Sequence, residues 1–201
     1  MMNFAALKKA ADDALGASLK ASSFQRIAAG TWNRRVGDAL NVIQLQPHSV
    51  EQSFCVNLGI HYTFLPKAGA EAPLDGDQID MHDCELKLRL TDEAGTSDQW
   101  WPMSTSSIDA VAGMVMGRGM QVFHAYRLDG SIAAMDGEDI ESGEPGLLSS
   151  LTKVRACLLL ARLHEHAGNH ERSVETATIG LKHAGMAVGP KRALRDIVKR
   201  S

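Results

Sequence analysis

The amino-acid sequence predicts an α+β fold: an N-terminal helix packed on an antiparallel sheet, followed by a C-terminal helical hairpin and a short terminal helix. Three observations predict it. The stretches Gln52–Tyr62 and Cys84–Leu90 alternate with period 2. Phe54, Val56, Leu58, Ile60 and Tyr62 fall opposite Cys55, Asn57, Gly59 and His61, and Leu86, Leu88 and Leu90 fall opposite Glu85, Lys87 and Arg89. Such alternation marks strands with two different faces. The strand-like runs also follow one another through turns with no helix between the middle ones, which indicates an antiparallel meander rather than βαβ units. Beyond Trp101-Pro102 the apolar spacing becomes helical to the end of the chain.

Asn3 to Leu19 is an amphipathic helix, with Phe4, Leu7, Ala11, Leu15 and Leu19 on one stripe and Gly16 weakening its last turn. Phe24–Ala28 and Thr31–Arg35 are short strands, turned at Ala29-Gly30 and Gly37-Asp38. Leu40–Gln46 is rich in Val, Ile and Leu, and its adjacent Val42 and Ile43 imply a bulge or two partly covered faces. Pro66–Asp80 carries Pro, Gly, Ala and Asp and is expected to be a mobile connection. Ile108, Val111, Ala112, Val115 and Met116 suit a helix capped from Ser104–Ser107 and ended by Gly117-Arg118-Gly119, while Gln121–Leu128 fits helix or strand. In the tail, Leu148, Leu151, Val154, Leu158 and Leu159 form one helical stripe, stopped at Gly168-Asn169. Val174, Ala177, Leu181 and Ala184 form the next, and Pro190 suits the first turn of a last helix. The expected organisation is an α+β domain at 1–135, a linker at 136–146, and a helical tail at 147–201 docked on the first domain or mediating self-association.

Composition narrows the function classes. The chain has 201 residues, 44% hydrophobic and 22% charged, and a formal net charge of -3. These are globular values, with no bulk positive field to draw nucleic acid or an anionic membrane. No uncharged apolar run is long enough to span a bilayer, and the N-terminus lacks the pattern of a secretory leader. Cys55, Cys84 and Cys157 are odd in number and far apart, so they read as buried thiols of a cytoplasmic protein.

Chemistry-bearing constellations are few. His82-Asp83-Cys84 offers ligand atoms, with His61 or His124 able to converge, but paired metal-ligand spacings are absent. Asp75, Asp77 and Asp80 lack the EF-hand order, and no nucleophile motif is present. No catalytic residue, metal or other cofactor is therefore expected. The remaining signals are the charged strand face of Glu85, Lys87 and Arg89, and Asp98 with the adjacent Trp100 and Trp101. Consecutive residues of an extended chain point oppositely, so one Trp should plug the core while the other lies on the rim. Tryptophan and arginine are the residues that most often anchor a protein interface. These six residues are the candidates for partner or ligand binding. The leading expectation is a non-enzymatic protein-binding module. The alternative is a small-molecule binder or an enzyme without a known motif, built on Arg89, Glu85, His61 and Asp98 around a pocket on the sheet.

An N-terminal helix, Phe54-Cys55-Val56-Asn57-Leu58-Gly59, Cys84–Leu90 with Arg89, and Asp98-Gln99-Trp100-Trp101 stand in that order. This combination resembles the bacterial family called domain of unknown function 4304 over roughly the first 130 residues. The resemblance implies an α+β domain, and by association of class a toxin-neutralising immunity role. The tail resembles a single tetratricopeptide repeat through Leu160-Ala161, Gly168, Val174, Ala177 and Leu181, with Ser173 and Gly180 standing where Ala is usual.

Overall fold

A computed structural model describes residues 2–67, 74, 76–92, 98–143 and 146–200. The chain forms two compact units, Met1–Ala125 and Tyr126–Ser201.

The first unit begins with helix α1 (Phe4–Ala21), whose Asn3 side chain caps it by accepting from the Ala6 N–H at 2.9 Å. Leu7, Ala11, Leu15 and Leu19 are its buried stripe. The helix runs past Leu19 in spite of Gly16. It closes where Ser23 N–H reaches the Lys20 carbonyl and Phe24 N–H reaches that of Leu19, with Ser23 at φ 65. That position normally belongs to glycine.

The sheet follows: β1 (Gln25–Ala28), β2 (Thr31–Val36), β3 (Ala39–Pro47), β4 (Ser53–Tyr62), β5 (Leu86–Arg89) and β6 (Trp101–Pro102). All described pairings are antiparallel, in the order β1-β2-β3-β4-β5, with β6 also on β4. β5 pairs with Asn57–Ile60 and β6 with Ser53 and Phe54, so the two share one edge of β4 end to end. β3 pairs without a register shift on both sides, and the irregularity lies between Arg26 and Ala28. The adjacent Val42 and Ile43 are thus explained by two covered faces. Leu40 and Val42 lie under Ile79, Met81 and Cys84, which form a small apolar layer with Leu74. The connection expected at Pro66–Asp80 falls partly outside the described residues, and its described end supplies that layer.

On the opposite face, α2 (Thr105–Met114) starts at Ser104, whose hydroxyl accepts from Ser107 N–H at 3.2 Å. The glycines expected to end this helix do not. Val115–Gly119 widens into a π-helical turn that leads directly into α3 (Met120–Ala125). Neither Gly117 nor Gly119 takes the left-handed conformation a helix stop would use. Phe24 and Phe123 pack here with ring centroids 5.8 Å apart, under the Arg34 guanidinium, which lies 4.5 Å from the Phe24 ring.

The second unit contains α4 (Gly137–Glu141), α5 (Lys153–His166), α6 (His170–Lys182) and α7 (Val188–Lys199). Within the stretch expected to link, Asp136 and Asp139 form a reciprocal capping box on α4. Ile140 is fully buried, and Gly137 N–H donates to Thr176 Oγ1 at 3.2 Å. Gly168, at φ 77, turns α5 into α6. Val154, Ala161, Ala177, Ala184, Leu194 and Ile197 make the core of these helices. Ser173 and Gly180 each have a physical reason in the packing of these helices. Ser173 Oγ donates to the Ala161 carbonyl at 2.8 Å. A Cβ on Gly180 would meet Cys157 Cβ at 2.7 Å and Leu194 Cδ1 at 3.0 Å.

Gly180→Ala gains roughly 1 kcal/mol of helix propensity but forces apart α5, α6 and α7, a crowding that costs about 1–3 kcal/mol. The expected result is a net loss of stability in urea unfolding of the full chain. An increase would show that the helices separate without cost.

Candidate functional site

β5 and β6 bring the family-like residues to one end of the sheet. Antiparallel register sets Arg89 opposite Asn57, on the face that also carries Gln44 and Gln46. Asn57 Nδ2 donates to Gln46 Oε1 at 2.8 Å, which ties these amides together. Trp101 pairs with Phe54 and faces the core, 8% exposed, with ring centroids 6.0 Å apart. Trp100, one residue earlier, points to the other side and is half-buried. The pair divides as strand alternation requires: Trp101 closes the core and Trp100 forms the rim.

Trp100 is braced on several sides. Its indole Nε1–H donates to Asp98 Oδ2 at 2.8 Å, while Asp98 Oδ1 lies 3.2 Å from Arg89 Nε. The Arg89 guanidinium lies 4.9 Å from the Trp100 ring centre, within cation–π range. The His48 ring meets Trp100 edge-on at 4.6 Å. Two backbone N–H groups of the turn after β3, those of Val50 and Glu51, fix His48 by donating to its Nδ1 at 3.2 and 2.9 Å. Arg89 Nη1 is buried and has no hydrogen-bond partner among the described residues. Val50, 87% exposed, stands on the same hairpin tip. The result is a rigid aromatic surface ringed by an arginine, a carboxylate and an imidazole. It has the composition of an interface anchor.

Glu85 and Lys87 are not part of this cluster. Lys87 Nζ donates to the His82 carbonyl at 2.5 Å, and Glu85 N–H donates to His61 Nδ1 at 3.3 Å. That bond makes Nδ1 an acceptor, so His61 carries its proton on Nε2, 3.3 Å from the Leu65 carbonyl. Register puts His61 at the far end of β4 from Asn57, beside Leu40 rather than Arg89. Arg89, Glu85, His61 and Asp98 therefore do not converge on one pocket. Cys84 also turns away from His82. Its Sγ donates to the Asp80 carbonyl at 3.5 Å, and burial pushes the thiol up to about 12. Asp80, His82 and Asp83 have ligand atoms within 4.8 Å of one another, but Lys67 already pairs with Asp83 at 3.2 Å.

His48 is the member of the cluster that the sequence did not disclose. Its only signal is its place directly after Pro47, at the head of a turn between two strands.

Two outcomes follow from this geometry. Trp101→Ala should cost about 3–5 kcal/mol of stability, as for a large aromatic removed from a core, whereas Trp100→Ala should cost about 1 kcal/mol or less, as at a rim. Equal losses in denaturant titrations would contradict the assignment. Burial lowers the pKa of His61 below 6.5. The unfolded chain then binds the proton first, so this contribution to stability is present above pH 6.5 and is lost as the pH falls toward the lowered folded value. The His61 ring should titrate below 6.5 by NMR, and a midpoint at or above 6.5 would show a solvated imidazole.

No curated protein and no solved structure matches the chain in comparisons with either set. A family model described as Domain of unknown function (DUF4304) matches residues 15–117, just over half of the chain. The match runs from within α1 through all the described strands and α2, and it includes Arg89, Asp98, Trp100, Trp101 and His48. By its helix, its antiparallel sheet and this match, the chain belongs to the DUF4304 family.

Proposed function

We propose that the chain is a non-enzymatic protein-binding module, with an immunity-type inhibitor of a bacterial toxin as the specific case. The observation that supports this most is Trp100, held in one orientation by Asp98, Arg89 and His48 while part of its ring faces solvent. A rigid indole loses little conformational freedom when a partner covers it, so most of its contact area becomes affinity. Val50 extends the apolar part of the surface, and Arg89 with Asp98 supplies its polar rim. Cys55, Cys84 and Cys157 are buried free thiols, which suits a reducing compartment such as the cytoplasm. No helix among the described residues is long and apolar enough to cross a membrane.

The test is co-purification with the product of the reading frame beside its gene, followed by calorimetric titration. Trp100→Ala should weaken the complex by about 2 kcal/mol, roughly thirtyfold, with the melting temperature of the free chain nearly unchanged. An unaltered affinity would remove Trp100 from any interface. Failure of the two products to associate would remove the toxin-neutralising case.

A further inference from the structure

The formal net charge of -3 averages over two unlike parts of the chain. From Lys182 to Arg200 there are six Lys or Arg and one acid, Asp196, a local charge of +5 that leaves -8 on the remainder. Helix α7 carries most of these cations and turns them to one side. Its apolar stripe is used within the second unit, where Leu194 and Ile197 are buried and Val198 packs against their cluster. Val188, Arg192, Arg195 and Lys199 recur at intervals of four, three and four, a stripe turned away from that core, and all four are exposed. No ion pair among the described residues engages Arg195 or Lys199.

The start of this face is apolar as well as basic. Met186 is 95% exposed and Val188 79%, two of the three large hydrophobic side chains exposed among the described residues. Both line one open cleft of about 540 Å³ with Lys191, Arg195 and Lys199, and with Asp196 as its acid. The aliphatic tip and the cations therefore share a single surface. Lys191 Nζ donates to the Gly185 carbonyl at 3.3 Å, which ties the first cation to the tip. Ala187, at the N-cap of α7, makes no side-chain cap to the first-turn N–H groups, and the partial positive charge of that helix end adds to the cations. At the rise of an α-helix, the cations from Lys191 to Lys199 extend over about 12 Å.

Aliphatic side chains this exposed gain nothing from phosphates alone, and the cations gain nothing from hydrocarbon alone. A surface that offers anionic oxygens and hydrocarbon at adjoining depths meets both demands together. A nucleic acid would engage the cations but leave Met186 and Val188, which have no ring to stack on a base, without a partner. We propose that this face of α7, with the turn before it, docks on an anionic phospholipid bilayer. Met186 and Val188 enter the acyl boundary, and Arg192, Arg195 and Lys199 sit at the headgroup phosphates. The contact is peripheral and reversible, since two aliphatic side chains bury little hydrocarbon. The surface lies wholly in the second unit, shares no residue with the Trp100 cluster and does not depend on it.

The test sediments the full-length chain with sucrose-loaded vesicles of phosphatidylcholine, made with or without one-quarter phosphatidylglycerol. The chain should pellet with the anionic vesicles and stay in solution with phosphatidylcholine alone. Raising the salt from physiological to half-molar should weaken binding about tenfold, as screening shortens the reach of the cations. Arg195→Gln combined with Lys199→Gln should weaken it about tenfold or more, each lost cation being worth about fivefold. Met186→Ser combined with Val188→Ser should also cost about tenfold while the salt dependence persists. All four positions are exposed, so each variant should keep the circular dichroism of the unmodified chain. Should either variant fail to fold, amide exchange in the unmodified chain decides: it should slow at Met186–Gly189 on anionic vesicles. No pelleting at millimolar anionic lipid, equal pelleting with both vesicle types, or full affinity in the Met186→Ser, Val188→Ser variant would overturn the proposal. So would binding of a double-stranded DNA oligonucleotide that depends on the cations and is indifferent to Met186 and Val188, which would identify a nucleic-acid surface instead.

Discussion

β4 must be buried on both faces and paired on both edges, and the first unit is arranged around that requirement. Phe54, Val56, Leu58, Ile60 and Tyr62 fill the helical side, and Cys55 and His61 are equally buried on the other. β3 covers one edge over nine residue pairs. β5 and β6 divide the second edge between them. On the non-helical face the approach is so close that a Cβ on Gly59 would lie 2.7 Å from Cys84 Sγ and 3.0 Å from Met81 Sδ. Glycine is what lets the Met81–Cys84 segment lie against the strand. With that segment in place, Ile79 can accept from Asn33 and the layer over Leu40 and Val42 is complete.

The parts of the fold that were legible in the sequence are those where one local pattern has one outcome. Strict alternation in Gln52–Tyr62 and Cys84–Leu90 leaves a strand as the only way to bury one set of side chains together. The Gly117-Arg118-Gly119 turn was not legible, because glycine permits a stop without demanding one. Whether it stops a helix depends on the packing that follows, and here Phe123 draws the chain on as helix against Phe24. The two covered faces of β3 were visible only as an irregular period, since the covering layer comes from Ile79–Cys84, some forty residues later.

The candidate site divides in the same manner. Arg89, Asp98 and Trp100 belong together in sequence order and in space; that Trp100 and Trp101 face opposite sides follows from alternation, whereas which of them is core is set by the pairing of Trp101 with Phe54. Glu85 and Lys87 share the strand face of Arg89, yet the Lys87 amine turns back to the His82 carbonyl and the Glu85 backbone N–H is held by His61, toward the other end of β5. Pattern identifies a face, whereas membership in a site depends on what lies across the sheet from each position. His48 shows the converse. It acquires significance from register and from hydrogen bonds with no local sequence signal.

β6 is only two residues long, and it joins the rim to the core. Its hold on β4 is a short ladder at Ser53 and Phe54, supported by the Met103 N–H bond to the Gln52 carbonyl at 3.0 Å. A partner that grips Trp100 therefore also pins Trp101 over Phe54, and occupancy of the surface becomes protection of the sheet edge. Thermodynamic linkage makes this reciprocal: whatever loosens β6 weakens the surface, and whatever engages the surface tightens the fold. Any recognition at Trp100 would thus be coupled to stability through one peptide bond.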